Sequence, residues 1–221
     1  MANKKRIKFT PLQIIVHLLG LSMLGWVIWE LYFNGSAINP IQSATQLAGR
    51  LALIFLVSSL ACTPLNTIFG FRQALKVRRA LGLYAFAFVA VHFSIFNVVD
   101  FGLDWSLLKF EYLERRYIFI GLVAGSILLA LAVTSFKWWM KNLGKNWKRL
   151  HRFVYLAAPL VVLHYAWAKK GDIFRLQGDI LAPLAAGLLV TFLLIVRIPR
   201  LRTWISNQRA RTGRRLSTRT L

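Results

Sequence analysis

The chain has 221 residues, of which 57% are apolar and 16% charged, with a mean hydropathy of +0.54, and this composition excludes an ordinary water-exposed domain. Its formal net charge of +22 would point a soluble chain toward nucleic acid, but here the basic residues cluster between apolar runs, as membrane topology requires. The single cysteine, Cys62, excludes an intramolecular disulfide and a thiolate metal cluster.

Six apolar stretches approach the roughly 20 residues needed to cross a bilayer as a helix, at about 11–33, 46–65, 80–99, 117–135, 152–168 and 179–196. The expected fold is therefore all-α, a polytopic bundle of six transmembrane helices over 11–196, with a basic cytoplasmic N-terminus at 1–10 and a basic cytoplasmic tail at 197–221. The first span follows KKRIK and carries His17, and its run from Leu12 to Phe33 is too long for the apolar region of a cleaved signal peptide. The second carries Arg50 and Cys62. The third carries His92 and is preceded by Arg78 and Arg79. The longest outer connection, DFGLDWSLLKFEYLERR at 100–116, reads as a loop mixing acids with Trp105, Phe110 and Tyr112. With 34–45 and 169–178 it is a candidate docking surface for a partner. The fifth span begins beside His151 and holds Pro159 and His164. The tail, RIPRLRTWISNQRARTGRRLSTRT, reads as a surface anchor on anionic lipid.

If the N-terminus is cytoplasmic, the inner segments 1–10, 66–79, 136–152 and 197–221 hold 22 of the 29 Lys and Arg. The seven acids fall on or near the outer side. This is the positive-inside pattern, and it predicts an inner-membrane protein with both termini in the cytoplasm.

Imidazoles at membrane depth are costly and mark a proton path, an ion site or a cofactor. His92 lies roughly 20 Å in from Arg79 and His164 roughly 18 Å in from Arg152, at about 1.5 Å per residue. Both reach one level in the outer half, on the third and fifth helices, which run in the same direction. A b-type haem held between those helices by His92 and His164 fits this placement. His151 sits at the inner interface among Lys148, Arg149 and Arg152, and His17 lies roughly 13 Å in from Lys8. His17 is open to a second haem or a quinone. There is no GxGxxG, P-loop, nucleophile elbow or HExxH, so the chain reads as a non-catalytic electron-transfer subunit with separate donors and acceptors.

The segments HLLGL at 17–21, LAGRLAL at 47–53, RRALGL at 78–83, AVHF at 90–93, TS at 134–135 and LGKNWKRLHRFVYLAAPLVVLHYAW at 143–167 carry a resemblance. The chain resembles MsrQ (formerly YedZ), a family of haem-binding membrane subunits of periplasmic methionine-sulfoxide reductase systems, itself similar to the membrane domain of ferric reductases and NADPH oxidases. The resemblance implies electron transfer from the quinone pool or a cytoplasmic flavin donor, through haem b, to a periplasmic molybdoenzyme, MsrP, that repairs oxidised proteins. It also brings an association with FMN, for which no residue set here marks a site. The oxidase-like relatives carry two histidines about a dozen residues apart on each haem-bearing helix. Here the fifth span keeps His151 and His164, whereas the third keeps His92 and has Arg79 thirteen residues earlier. One bis-histidine haem is expected and a second, inner one stays open. Metal-ligand candidates are His92, His164 and His151. Arg78 and Arg79 are candidates for haem propionates or lipid phosphate, and Arg50 for a propionate or solvent. The competing readings are a ferric or cupric reductase on the same scaffold and a haem-free proton or ion transporter.

Overall fold

The computed structural model describes residues 10–34, 38–169 and 180–217, with side chains as far as Arg211. Helix α1 (Pro11–Tyr32) starts where Thr10 and Gln13 cap each other, the Thr10 backbone N–H donating to Gln13 Oε1 at 2.9 Å, and Pro11 takes the first helical position. Helix α2 (Pro40–Phe69) opens with the Asn39 side chain accepting from the Gln42 N–H, and ends on Gly70 at φ 74°. Helix α3 (Gln73–Ser94) runs into a π-helical stretch, Ile95–Asp100. The others are α4 (Trp105–Glu114), α5 (Arg116–Val133), α6 (Lys137–Leu143), α7 (Lys145–Leu150), a 3-10 turn at His151–Phe153, α8 (Val154–Ala168), α9 (Leu181–Ile195) and α10 (Pro199–Ser217). No strand occurs among the described residues.

Each expected apolar run becomes a helix, but the lengths differ. The spans Pro11–Tyr32, Pro40–Phe69, Gln73–Asp100 and Arg116–Val133 are long and apolar enough to cross a membrane, and the bent pair α9 and α10 makes up to five. Helices α8 and α9 have 15 residues each, about 22 Å of rise, short of a full hydrocarbon core. The described residues are thus all-helical with four candidate membrane spans, up to five with the bent pair, where six were expected. The expected loop at 100–116 is largely a helix: Asp104 caps α4 by accepting from the Ser106 N–H at 2.8 Å, Leu108 is buried, and the Tyr112 hydroxyl donates to Oδ1 of buried Asn97 at 2.6 Å. Ser106 holds the Asp104 carboxyl below the usual carboxylate range, chiefly through its side-chain hydrogen bond. Most of the connection at 169–178 lies outside the described residues. The tail is α10, bent 76° from α9.

Helix α2 packs against α1, α3, α8, α9 and α10 and is the centre of the bundle. The reason is a stripe of small residues, Ala44, Ala48 and Ala52, continued by Leu56 and Leu60, all buried one turn apart. These let α3 approach through Ala74, Val77, Leu81, Ala85 and Phe88. Small residues bring helix backbones close where lipid supplies no hydrophobic driving force. The large apolar residues Ile14, Ile15, Leu18, Leu21 and Phe119 point outward, as the bilayer permits. Helices α2 and α3 are antiparallel, since Thr45 near the start of α2 meets His92 near the end of α3. Helices α5 and α8 are likewise antiparallel, because Tyr117 meets His164. The bundle therefore has an acidic end, with Glu30, Asp100, Glu111 and Glu114, and a basic end, with Arg72, Lys76, Arg78, Arg79, α6, α7 and α10.

Pro64 interrupts α2 without a helix break. It has no N–H to give the carbonyl four residues back, that of buried Leu60. Arg197, just past α9, supplies the missing donor: its guanidinium gives one N–H to the Leu60 oxygen at 2.6 Å and another to the Tyr155 hydroxyl at 3.1 Å. One arginine thus ties α9 and α8 to the proline site of α2. Arg209 of α10 braces the end of α2, donating to the oxygen of Asn66 at 2.6 Å, which also accepts from the Gly70 N–H, and to that of Thr67 at 3.0 Å.

Candidate functional site

The structure brings His92 of α3 and His164 of α8 together near the acidic end, with ring centroids 6.2 Å apart and ring planes at 87°. Each ring is held by a backbone carbonyl of a neighbouring helix. His92 Nδ1 lies 2.9 Å from the Thr45 oxygen of α2, and His164 Nδ1 lies 2.7 Å from the Tyr117 oxygen of α5. A carbonyl oxygen only accepts, so Nδ1 carries the proton in both rings and Nε2 keeps its lone pair. This is the tautomer in which a histidine binds a metal through Nε2.

The two carbonyls are accessible for the same local reason. A helical carbonyl points toward the residue four positions on, whose side chain ordinarily covers it. The residue four after Thr45 is Gly49, and four after Tyr117 is Gly121. A Cβ at Gly49 would stand 3.2 Å from His92 Nδ1, and one at Gly121 would stand 2.6 Å from His164 Nδ1. Two antiparallel helix pairs therefore use one device twice, and the carbonyl and its histidine are 47 residues apart in both.

An ion at about 2.0 Å from two imidazole nitrogens, the usual metal–imidazole distance, separates their ring centroids by about 6 Å. The His92–His164 spacing matches that requirement. Two ligands alone do not hold a bare metal, and among the described residues no group of three or more His, Cys, Asp or Glu is close enough to do so. Two imidazoles with the remaining positions filled by a macrocycle is the arrangement these donors fit.

The other candidates are placed elsewhere. His151 stacks on Trp147, ring centroids 4.1 Å apart, with Nδ1 3.1 Å from the Trp147 oxygen and Nε2 3.5 Å from Ser135 Oγ. Arg78 lies within electrostatic reach of His151 and donates to Thr63 Oγ1 at 3.4 Å. Arg79 does not share that side: it lines a cleft between α1 and α3 together with His17. His17 Nδ1 lies 3.1 Å from the Tyr84 hydroxyl. Arg50 is exposed and within the field of Glu30, whose carboxylate accepts from Asn34 at 2.9 Å and from Ser43. At the acidic end a cleft of about 460 Å³ is lined by Glu114, Arg115, Arg116, Tyr117 and Trp167. The Tyr117 ring stands 5.9 Å from that of His164, and Arg115 ties the Tyr117 hydroxyl to Glu111.

Comparison with families of known proteins matches residues 48–162 to the ferric reductase like transmembrane component. The chain belongs to this ferric reductase-like family. The match runs from the Gly49 turn of α2 through α3, with His92, and α5 into α8, ending two residues before His164. Membership gives the chain a membrane electron-transfer role. Of the residues gathered at the histidine pair, the sequence reading singled out His92 and His164. It quoted Gly49 only inside LAGRLAL and missed Thr45, Tyr117 and Gly121. The signal that finds them is the repeated spacing, a glycine and then a histidine at the same interval in two helix pairs.

Proposed function

We propose that this chain is a haem-b electron-transfer subunit of the MsrQ type. It carries electrons from the quinone pool, or from a cytoplasmic flavin donor, to a periplasmic molybdenum-containing methionine-sulfoxide reductase, MsrP. The observation that carries the reading is the His92–His164 pair, two rings at metal-bridging separation with both Nδ1 protons committed to backbone carbonyls. Haem bound there supplies one-electron transfer.

The chain's own residues do the rest. His92 and His164 hold the iron, while the Thr45 and Tyr117 carbonyls fix the tautomer and raise ligand basicity. Gly49 and Gly121 leave room for the rings. Buried Phe88, one turn from His92 toward the basic end, and buried Leu56, further along α2, help exclude water. Tyr117, beside His164 and the acidic-end cleft, marks that end as the exit toward a partner. Arg78 and His151 sit together without a second histidine across from them, which favours a single bis-histidine haem. Arg78 remains a contact for a propionate or lipid phosphate in this reading and Arg50 one for a propionate or solvent, whereas Arg79, on the α1/α3 cleft, is set apart from the haem; His17 is an inner-side contact for a donor. FMN enters through family association alone.

Orientation follows from charge: the basic end faces the cytoplasm of a bacterial inner membrane, with both termini inside. A reporter active only in the periplasm is expected to be silent at the C-terminus and active when inserted after Asp104; the reverse pattern would invert the direction of electron flow. The functional test is deletion of the gene. The periplasmic sulfoxide reductase is expected to remain competent with reduced viologen but to receive no electrons in the cell, and a reductase that also fails with viologen contradicts the reading. A ferric or cupric reductase role, which the family match also favours, predicts instead loss of metal-chelate reduction with sulfoxide repair intact.

A further inference from the structure

The cleft between α1 and α3 is separate from the histidine pair. It measures about 540 Å³, with Gln13 and His17 on the α1 side and Lys76, Arg79, Leu83 and Tyr84 on the α3 side. Lys76 and Arg79 stand one turn apart and exposed at the basic mouth. The sequence has no acid from the start of the chain to Glu30, nor between Glu30 and Asp100, so neither helix offers a carboxylate to this mouth. Among the described residues the ion pair that forms, Arg115 with Glu111, is at the opposite end. Below the cations the wall is Ala80, Leu83 and Ala87, small or apolar, and it leaves the cleft open along its length. Tyr84 closes the deeper part. Its hydroxyl bonds with His17, and its ring lies so close over Gly20 that any Cβ there would run into it. From Lys76 to Tyr84 is eight residues of helix, about 12 Å.

Two cations without a counter-ion, an apolar wall beneath them and a polar pair deeper still are the complement of an amphiphile with an anionic head. A basic pocket between membrane helices near the basic face takes phosphate headgroups for this reason. A neutral ring such as a quinone gives the two cations nothing to neutralise.

We propose that the α1/α3 cleft binds a phosphate-headed amphiphile. Lys76 and Arg79 hold the phosphate, and the body of the ligand lies along Ala80, Leu83 and Ala87 toward the His17–Tyr84 pair. The phosphate is that of an anionic phospholipid of the surrounding leaflet. This requires only that the chain sits in a bilayer, so it stands or falls separately from haem binding.

The test uses the purified, delipidated full-length chain. Dioleoyl phosphatidylglycerol binding is followed by native mass spectrometry, and haem content is recorded in parallel. The lipid is expected to bind at one per chain. The double variant K76Q/R79Q is expected to lose about ten-fold or more in affinity, as two lost phosphate contacts imply, and K76E/R79E more. Both residues are exposed, and an unchanged helical circular dichroism spectrum with unchanged haem content shows that the variants fold. Absence of lipid binding, or equal binding by wild type and both variants, overturns the proposal. So does a site that takes only a short-chain quinone and is indifferent to the two substitutions.

Discussion

The acidic and basic ends of the bundle both carry buried or half-buried histidines, yet they treat them in opposite ways. At the acidic end His92 and His164 spend Nδ1 on carbonyls of other helices and meet each other ring to ring. At the basic end His151 is occupied by Trp147 and Ser135 on one side of the bundle, and His17 by Tyr84 on another. The difference lies in the neighbours: a glycine four residues after the accepting carbonyl lets an imidazole reach it from outside the helix. His151 instead takes the carbonyl of Trp147 in its own helical segment, and so stays within its own element. A histidine becomes an available ligand when the helix beside it holds its other nitrogen.

That comparison is most easily broken at Gly121. A Cβ there would sit 2.6 Å from His164 Nδ1, far inside contact, against a ring pinned to the Tyr117 oxygen. Gly121→Ala is expected to displace the ring and cut bound low-spin haem by about ten-fold, the range seen when a supporting group of a metal ligand is lost. At Gly49 the corresponding distance is 3.2 Å, and a shift of a few tenths of an ångström relieves it. Gly49→Ala is expected to keep most of the haem and alter its spectrum slightly. Haem titration of the two variants side by side checks this, and equal retention in both would remove the glycine argument.

A smaller effect tests how the basic end is held. Arg197→Leu leaves the Leu60 carbonyl without a donor beside Pro64 and is expected to cost about 1–3 kcal/mol of stability in detergent denaturation. Pro64→Ala restores the backbone N–H that Leu60 lacks, so the same Arg197 substitution is expected to cost less in that background. A cost independent of residue 64 would mean that Arg197 acts chiefly through Tyr155.

The six apolar runs were legible because hydropathy alone marks them, and the shared depth of His92 and His164 followed from counting residues along two helices. What was not legible depended on contacts between distant segments. The tautomer of each histidine is set by a carbonyl 47 residues away. Pro64 and Arg197 are joined only by packing, and the side on which Arg79 emerges, toward α1 instead of His151, depends on the rotation of α3. The stretch at 100–116 holds a local signal, since Asp104 before Trp105 and Ser106 is a helix cap, but its mixed composition reads as a loop.

The central claim is that His92 and His164 are the two axial ligands of one haem. The most direct measurement is the dithionite-reduced absorption spectrum of purified wild type beside His92→Ala, His164→Ala, His151→Ala and His17→Ala. The account predicts a six-coordinate low-spin b-type spectrum in wild type, its loss or conversion in the first two variants, and its survival in the last two. Full low-spin haem in both His92→Ala and His164→Ala would contradict it.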